Sequence, residues 1–290
     1  MEYFFHIVIM LNIYILLVLS ANLTIGMANL LTMCQAAFYG IGAYIGTYFL
    51  MQFHCPLILI LAIVSVVTGL FSFLVSYASV KLKGDYFVLA TMGFQLIVYT
   101  ILYNWTSVTR GPYGIPGIPG IKLFGILQIQ GVYAYLGLSF AIMFLGILLF
   151  KYLLESPYGR VLRAIKANED VVRSLGRNVT AIKSWAFFIS AAVAGIAGVI
   201  YASYVSYIDP TSFTLDESIF IISALFIGGI GNVAGPVIGS LFVVLLPEIL
   251  RFVGLPDSIA ANLRQIIYGL SLILIVHYRP QGLFGKTVMK

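Results

Sequence analysis

Long apolar runs alternate with short polar segments along the whole chain, and these runs set the predicted architecture. Runs of about 17 residues or more recur, and each is long enough to cross a hydrocarbon core about 30 Å thick. Their apolar residues are continuous rather than alternating, which excludes a transmembrane β-barrel. We therefore predict an all-α fold, a polytopic transmembrane helix bundle of about 8–10 spans, in one domain covering residues 1–290. The predicted spans cover residues 4–21, 26–50, 57–80, 86–104, 132–154, 184–207, 218–231, 234–250 and 262–278.

Glycine and polar residues interrupt some of these runs. The run 26–50 is rich in both and could be divided into two pieces. The runs 218–231 and 234–250 are short and meet at the sequence GGIGNVAG (228–235), so either could be partly re-entrant. That glycine-rich sequence is not a P-loop, because no Gly-Lys-Ser/Thr follows it. It indicates close helix packing or a break in a helix.

Composition and charge agree with a membrane protein. The chain is 61% hydrophobic and 9% charged, whereas a soluble domain carries about 25% charged residues. The net charge of +6 comes from Lys and Arg in polar segments, where they orient spans, and does not indicate nucleic-acid binding. The loops 105–131 and 208–217 are poor in basic residues and are predicted to be external. The basic residues predicted to be cytoplasmic include Lys81, Lys83, Lys166, Arg279, Lys286 and Lys290.

The densest charge lies in residues 156–183, which we call the basic segment. Ser156 is a helix N-cap residue and Pro157 suits the first helical position, so a short helix is predicted to begin there. Its apolar side chains recur at helical spacing on one face. They are Val161, Leu162 and Ile165.

A second short helix is predicted within the basic segment. Asn168 can cap it, and Glu169 and Asp170 stand in its first turn, where carboxylates favour the positive end of the helix dipole. Gly176 stands where a left-handed cap is expected. The predicted apolar face consists of Val171, Val172 and Leu175. Docking of a partner is one interpretation; a loop that only sets orientation and a helix lying on anionic lipid are the others.

Polar side chains inside apolar runs are candidates for lining a translocation path, because they are expensive in lipid. Thr91 and Gln95 are four residues apart and share a helix face. None of the candidates is charged, which suits a zwitterion or a neutral amide; the alternative role is hydrogen bonding between helices. The histidines are scattered, so no metal site is predicted. The full set of path candidates is Asn29, Gln35, Thr91, Gln95, Gly229 and Gly231.

Several passages together resemble the LivM-type permease of branched-chain amino acid ABC importers (the LivH/LivM permease family). The resemblance follows the chain in order through residues 22–44, 82–94, 109–119, 156–183, 225–240 and 278–285. In the basic segment it aligns Asp170, Val171, Val172 and Gly176 with the family's E-A-A-x-x-x-G coupling loop, although the first three residues differ from E-A-A.

The resemblance implies a heteromeric importer in the cell (inner or plasma) membrane, and the basic C-terminal tail predicts a cytoplasmic C-terminus. The implied partners are a second, LivH-type permease subunit, two cytoplasmic ATP-binding subunits and an external solute-binding protein. It implies no catalytic residue and no cofactor in this chain, since the ATP is hydrolysed by partner subunits. The residues implied to couple to an ATPase are Arg163, Asn168, Glu169, Asp170, Val171, Val172, Arg173, Leu175 and Gly176.

Other functions remain open on the sequence. Similar permeases serve urea or short-chain amides. A stand-alone channel or secondary transporter is the main rival. A secondary transporter often buries an ionisable residue for its driving ion, and the span centres show none. Cytoplasmic docking helices argue against a stand-alone channel. A membrane enzyme is disfavoured because paired intramembrane carboxylates, a His-rich cluster and a nucleophile-elbow pattern are lacking.

Overall fold

Eleven α-helices make up most of the part of the chain that the computed structural model describes. That part comprises residues 2–53, 55–79, 82, 84–123, 127–129, 131–252, 263, 266–267, 269–271, 273–274, 277–278 and 282–283. The helices are α1 (Glu2–Ala21), α2 (Gln35–Gln52), α3 (Leu57–Ser79), α4 (Asp85–Asn104), α5 (Thr106–Thr109), α6 (Val132–Glu155), α7 (Pro157–Ala167), α8 (Glu169–Ser174), α9 (Val179–Val205), α10 (Leu215–Gly228) and α11 (Ala234–Phe252). Four two-residue strands accompany them: β1 (Ile115–Pro116), β2 (Lys122–Leu123), β3 (Leu127–Gln128) and β4 (Tyr207–Ile208).

The first long helix extends further than its apolar run. A π-helix, Asn22–Met27, continues α1 without interruption. The chain then leaves the helix, and α2 begins only at Gln35. The predicted span 26–50 is therefore wrong at its start, and the division of this run is confirmed. Non-helical backbone is tolerated at membrane depth when protein groups satisfy it, and here Met33 N–H donates to the Thr91 hydroxyl at 3.1 Å.

Close contact between α2 and α9 forms the centre of the bundle. A Cβ atom on Gly42 would overlap the backbone of Gly195, and one on Gly198 would overlap the backbone carbonyl of Tyr39. Small residues allow such backbone approach between membrane helices. The close contact between α2 and α9 therefore depends on these glycines.

The α10–α11 hairpin is equally tight. A Cβ on Gly228 would overlap the Gly235 carbonyl, and one on Gly239 would overlap the Ala224 carbonyl. The fourteen residues of α10 extend about 21 Å, which is shorter than a hydrocarbon core of about 30 Å. The helix break predicted near GGIGNVAG is confirmed, and α10 is a half-helix.

The two ends of the bundle carry different segments. At the end that we call the loop end, His6 of α1 hydrogen-bonds to Tyr204 of α9 at 2.9 Å, and β1 pairs antiparallel with β4. The opposite end, which we call the basic end, carries α7 and α8. Leu283 also lies there, because its N–H donates to Ile227 O at 3.1 Å, close to the α10–α11 turn.

The polytopic all-α prediction is confirmed. The first eight predicted runs each contain one helix, namely α1, α2, α3, α4, α6, α9, α10 or α11. Five described helices are long and apolar enough to cross a membrane: Glu2–Met27, Leu57–Tyr77, Asp85–Asn104, Val132–Glu155 and Val179–Val205. Parts of the ninth run, 262–278, lie outside the described residues, as do Lys81, Lys83, Arg279, Lys286 and Lys290.

Candidate functional site

The first helix of the basic segment begins where the sequence predicts. The Ser156 hydroxyl accepts a hydrogen bond from Gly159 N–H at 3.2 Å, and Pro157 is the first helical residue. Leu162 and Ile165 face inward and are buried. The charged residues lie elsewhere around α7, so one face packs against the bundle and the other meets solvent.

The second helix is capped at both ends. The Asn168 side-chain oxygen accepts hydrogen bonds from Asp170 N–H at 3.0 Å and Val171 N–H at 3.2 Å. Gly176 has a φ of 77°, the left-handed conformation that glycine adopts without strain. Both caps predicted from the sequence are confirmed, and they give α8 a defined start and end.

The apolar side chains of α8 point in two directions, not one. Val172 is buried and packs with Ile165 and Val179. Val171 is 53% exposed and Leu175 is 76% exposed. The single apolar face predicted for α8 is therefore wrong, because tertiary packing takes only Val172 and leaves the other two outward.

An ion pair attaches α8 to the N-terminal part of α9, and further ion pairs lie within α8. The Glu169 carboxylate pairs with Lys183 of α9 at 2.6 Å and with Arg173 at 2.8 Å. Arg173 also lies 3.7 Å from Asp170. In the neighbouring helix, Arg163 donates to the Leu154 carbonyl at 3.1 Å. These contacts hold the basic segment to the spans that flank it.

A lysine joins the basic segment to the end of the first span. Lys166 Nζ donates to the Gly26 carbonyl in the π-helix at 2.8 Å. Burial lowers the pKa of Lys166 below its usual value. A π-helix leaves backbone groups out of the regular α-helical register and often marks a functional position. The charge pattern of the sequence indicated Lys166 only as an orientation charge, because its hydrogen-bond partner lies 140 residues away.

The same π-helix also holds the α10–α11 turn. Asn22 Nδ2 donates to the Asn232 carbonyl at 2.6 Å, and Asn22 Oδ1 accepts from Gly231 N–H at 3.0 Å. Gly231 has a φ of 86° and Gly229 a φ of 112°. The basic segment, the π-helix and this turn are therefore joined by direct hydrogen bonds. Asn22 was missed as a candidate; it is a polar residue in an apolar stretch.

Gln35 stands at the first position of α2, inside the bundle. Its Nε2 donates to the Ser20 hydroxyl at 2.9 Å and to the Ser190 hydroxyl at 3.0 Å. The Ser190 hydroxyl in turn donates to the Ser20 carbonyl at 2.7 Å. This arrangement ties α2 to α1 and α9 and gives Gln35 a structural partner on each side.

Thr91 and Gln95 share a face of α4, as predicted, and both are fully buried. Gln95 Nε2 donates to the Phe213 carbonyl at 2.8 Å. The Ser218 hydroxyl donates to Gln95 Oε1 at 3.4 Å and accepts from Ala36 N–H at 3.0 Å. The first turns of α2 and α10 consequently meet inside the bundle. Their hydrogen bonds favour the interhelical role for these polar residues.

The other path candidates lie apart from Gln35, Thr91 and Gln95. Asn29 is exposed, with a φ of 55°, in the non-helical segment that precedes α2. Gly229 and Gly231 lie in the α10–α11 turn at the basic end. The six candidates therefore belong to three separate places and do not form one continuous lining.

Glu217 lies deeper than the sequence suggests. The prediction of an external loop at 208–217 is wrong for this residue, because its Oε1 accepts from the hydroxyl of Tyr14, in the middle of α1, at 2.7 Å. Glu217 lies outside the predicted spans, in the first turn of α10, yet it contacts the middle of α1. Hydropathy alone placed Glu217 in a loop, since it directly follows a second carboxylate, Asp216. Among the described residues, no group of three or more His, Cys, Asp or Glu could hold a metal ion.

A protein-family comparison matches nearly the whole chain. The family described as "Branched-chain amino acid transport system / permease component" matches residues 3–276. No solved structure is significantly similar to the chain.

Individual relatives agree with the family match. The high-affinity branched-chain amino acid transport system permease protein LivM of Salmonella typhimurium is 31% identical over 96% of this chain and 69% of its own length. LivM of Escherichia coli is 31% identical over 95% of this chain and 68% of its own length. The probable LivH permease of Methanocaldococcus jannaschii is 23% identical over 94% of this chain and 89% of its own length. This chain therefore belongs to the branched-chain amino acid transport system permease family.

Proposed function

We propose that this chain is a membrane permease subunit of an ABC importer and that its cargo is a branched-chain amino acid. The observation that carries the proposal is similarity to LivM over 96% of the chain. The resemblance noted from the sequence passages points to the same function. With a second permease subunit of the LivH type, the chain would form the translocation path.

We further propose that the basic segment is where a cytoplasmic ATPase grips this subunit. Its two helices are capped, so they can transmit a displacement as rigid bodies. Val171 and Leu175 are apolar and exposed, which leaves a surface for a partner to cover. The proposed docking residues are Arg163, Asn168, Glu169, Asp170, Val171, Val172, Arg173, Leu175 and Gly176; Val172 would support the surface from within.

Movement of the basic segment would reach the spans through hydrogen bonds. Lys166 holds the π-helix and Asn22 holds the α10–α11 turn. A push on α7 would therefore act on the end of α1 and on the turn that contains Gly229 and Gly231. Interfaces of this kind move between discrete arrangements rather than deforming continuously.

The orientation in the membrane follows from the same assignment. The basic end would face the cytoplasm and the loop end the outside, in the cell (inner or plasma) membrane, with the C-terminus cytoplasmic. The concentration of Lys and Arg in the basic segment supports this orientation. An external solute-binding protein would dock at the loop end.

Reconstitution tests the proposal. The chain is assembled in proteoliposomes with its second permease and its two ATPases, and the solute-binding protein is added outside. We expect uptake of radiolabelled leucine that requires both ATP and the binding protein. Uptake of urea or acetamide but not leucine would assign the alternative cargo, and leucine uptake without ATPases would indicate a stand-alone transporter.

A further inference from the structure

Glu217 places a carboxylate halfway across the bundle. Its partner Tyr14 lies in the middle of the span Glu2–Met27. The next residue, Ser218, hydrogen-bonds to Gln95, in the middle of the span Asp85–Asn104. Two independent spans therefore fix the depth of Glu217. An ionisable group at this depth is expensive and generally serves function.

The neighbouring carboxylates have different environments. Asp209 accepts hydrogen bonds from Ser212 N–H at 3.2 Å and from the Thr211 hydroxyl at 2.8 Å, so its role is a local cap. Asp216 is exposed. Only Glu217 among these three is directed into the bundle, which makes Asp216 a matched control for it.

The groups around Glu217 leave its charge uncompensated. Within the described residues, it forms no salt bridge with a Lys, Arg or His. The hydrogen bond to its Oε1 comes from the neutral hydroxyl of Tyr14. Tyr39 is 3% exposed and lies close enough to Glu217 to interact electrostatically, and its hydroxyl makes no hydrogen bond with another described residue. A carboxylate so placed favours a cation, and the tyrosine rings add cation–π attraction.

We propose that Glu217, with Tyr14 and Tyr39, forms the subsite for the primary ammonium group of the cargo as it crosses this subunit. An ammonium group supplies the positive charge and several donors, which Glu217 and the Tyr39 oxygen can accept. Neutral urea or an amide supplies no such charge. The subsite would make Glu217 a specificity-determining residue for amino acids, and this inference rests on the function proposed above.

Substitution in the reconstituted importer tests the subsite. Glu217→Gln keeps the side-chain shape but removes the charge, so we expect leucine uptake to fall at least about tenfold, the usual scale for losing a charged hydrogen bond. ATPase stimulation by the loaded binding protein should persist. Asp216→Asn should retain uptake, and Tyr14→Phe should reduce it less than Glu217→Gln does.

The outcomes separate the inference from the function on which it rests. Leucine uptake by Glu217→Gln within twofold of the unmodified importer overturns the subsite alone. Equal losses in Tyr14→Phe and Glu217→Gln also overturn it, because they indicate a structural tie between α1 and α10. An unmodified importer that takes up no leucine overturns the proposed function.

A measurement on the unmodified importer covers the case in which Glu217→Gln fails to assemble. Thermal unfolding of the complex, without binding protein, is followed with 3-methylbutylamine, 3-methylbutan-1-ol or 4-methylpentanoate. A ligand that binds the folded state raises the unfolding temperature. We expect a rise with the amine alone, retained in Asp216→Asn. No rise with the amine, or an equal rise with the alcohol, overturns the subsite.

Discussion

Replacing Lys166 with Met should uncouple transport from ATP hydrolysis. The change keeps a long side chain that can cover apolar surface but removes the ammonium group that donates to Gly26 at 2.8 Å. That hydrogen bond joins α7 to the π-helix, and Asn22 joins the π-helix to the α10–α11 turn. Its loss would therefore remove the hydrogen-bonded connection from α7 to the end of α1 and, through Asn22, to the α10–α11 turn.

The expected magnitude follows from the geometry of this bond. A hydrogen bond with a charged donor contributes about 1.5–3 kcal/mol. Lys166 is partly exposed, so the lower end of that range applies. A loss of about 1.5 kcal/mol corresponds to roughly a tenfold change in the equilibrium between the two coupled arrangements.

The assay compares leucine uptake with ATP hydrolysis in the same proteoliposomes. Uptake per ATP should fall several-fold in Lys166→Met, while hydrolysis without binding protein stays near its original rate. Lys151→Met is the matched control, because Lys151 is exposed and forms no hydrogen bond or ion pair with the described residues. An uptake-to-ATP ratio that is equal in the two variants would falsify the proposed connection.

Three further predictions address the cap, the packing and the orientation. Gly176→Val should impair ATPase stimulation by the loaded binding protein, since φ of 77° strains a β-branched residue by about 1–3 kcal/mol; full stimulation would contradict the docking role. Gly42→Ala should lower the thermal unfolding temperature, because overpacking costs about 1–3 kcal/mol, whereas Gly93→Ala, with open space around it, should not; equal temperatures would disprove the contact. A single cysteine at Arg177 should resist impermeant reagents in intact cells and one at Tyr113 should react, and the reverse pattern would invert the orientation.

Local features of the basic segment could be predicted from the sequence. Ser156 and Asn168 can cap helices through their own side chains, and Gly176 can adopt a positive φ without help from distant residues. These positions depend on contacts within a few residues, which is why the structure confirms them. The direction of Val171 and Leu175 depends on what packs against α8, and the helical pattern alone assigned it wrongly.

The buried polar residues inside the bundle could be predicted only in part from the sequence. The sequence singled out Gln35, Thr91 and Gln95 as polar groups in apolar runs, but their hydrogen-bond partners lie on other elements. Ser218 and Ser190 complete those bonds, and neither attracts notice in a sequence because serine is common in membrane spans. The sequence alone therefore could not show which residues these polar groups contact.

The membrane-protein class of this chain could be predicted from hydropathy alone, because hydrophobic transfer into lipid depends on the length and composition of each apolar run. The caps of the basic segment and the resemblance to the LivH/LivM family could also be read from the sequence. Where the run 26–50 leaves the helix, how Lys166 reaches Gly26 and how deep Glu217 lies became known from the fold. Those features rest on contacts between residues far apart in the chain, and hydropathy, which sums over neighbours, carries no information about them.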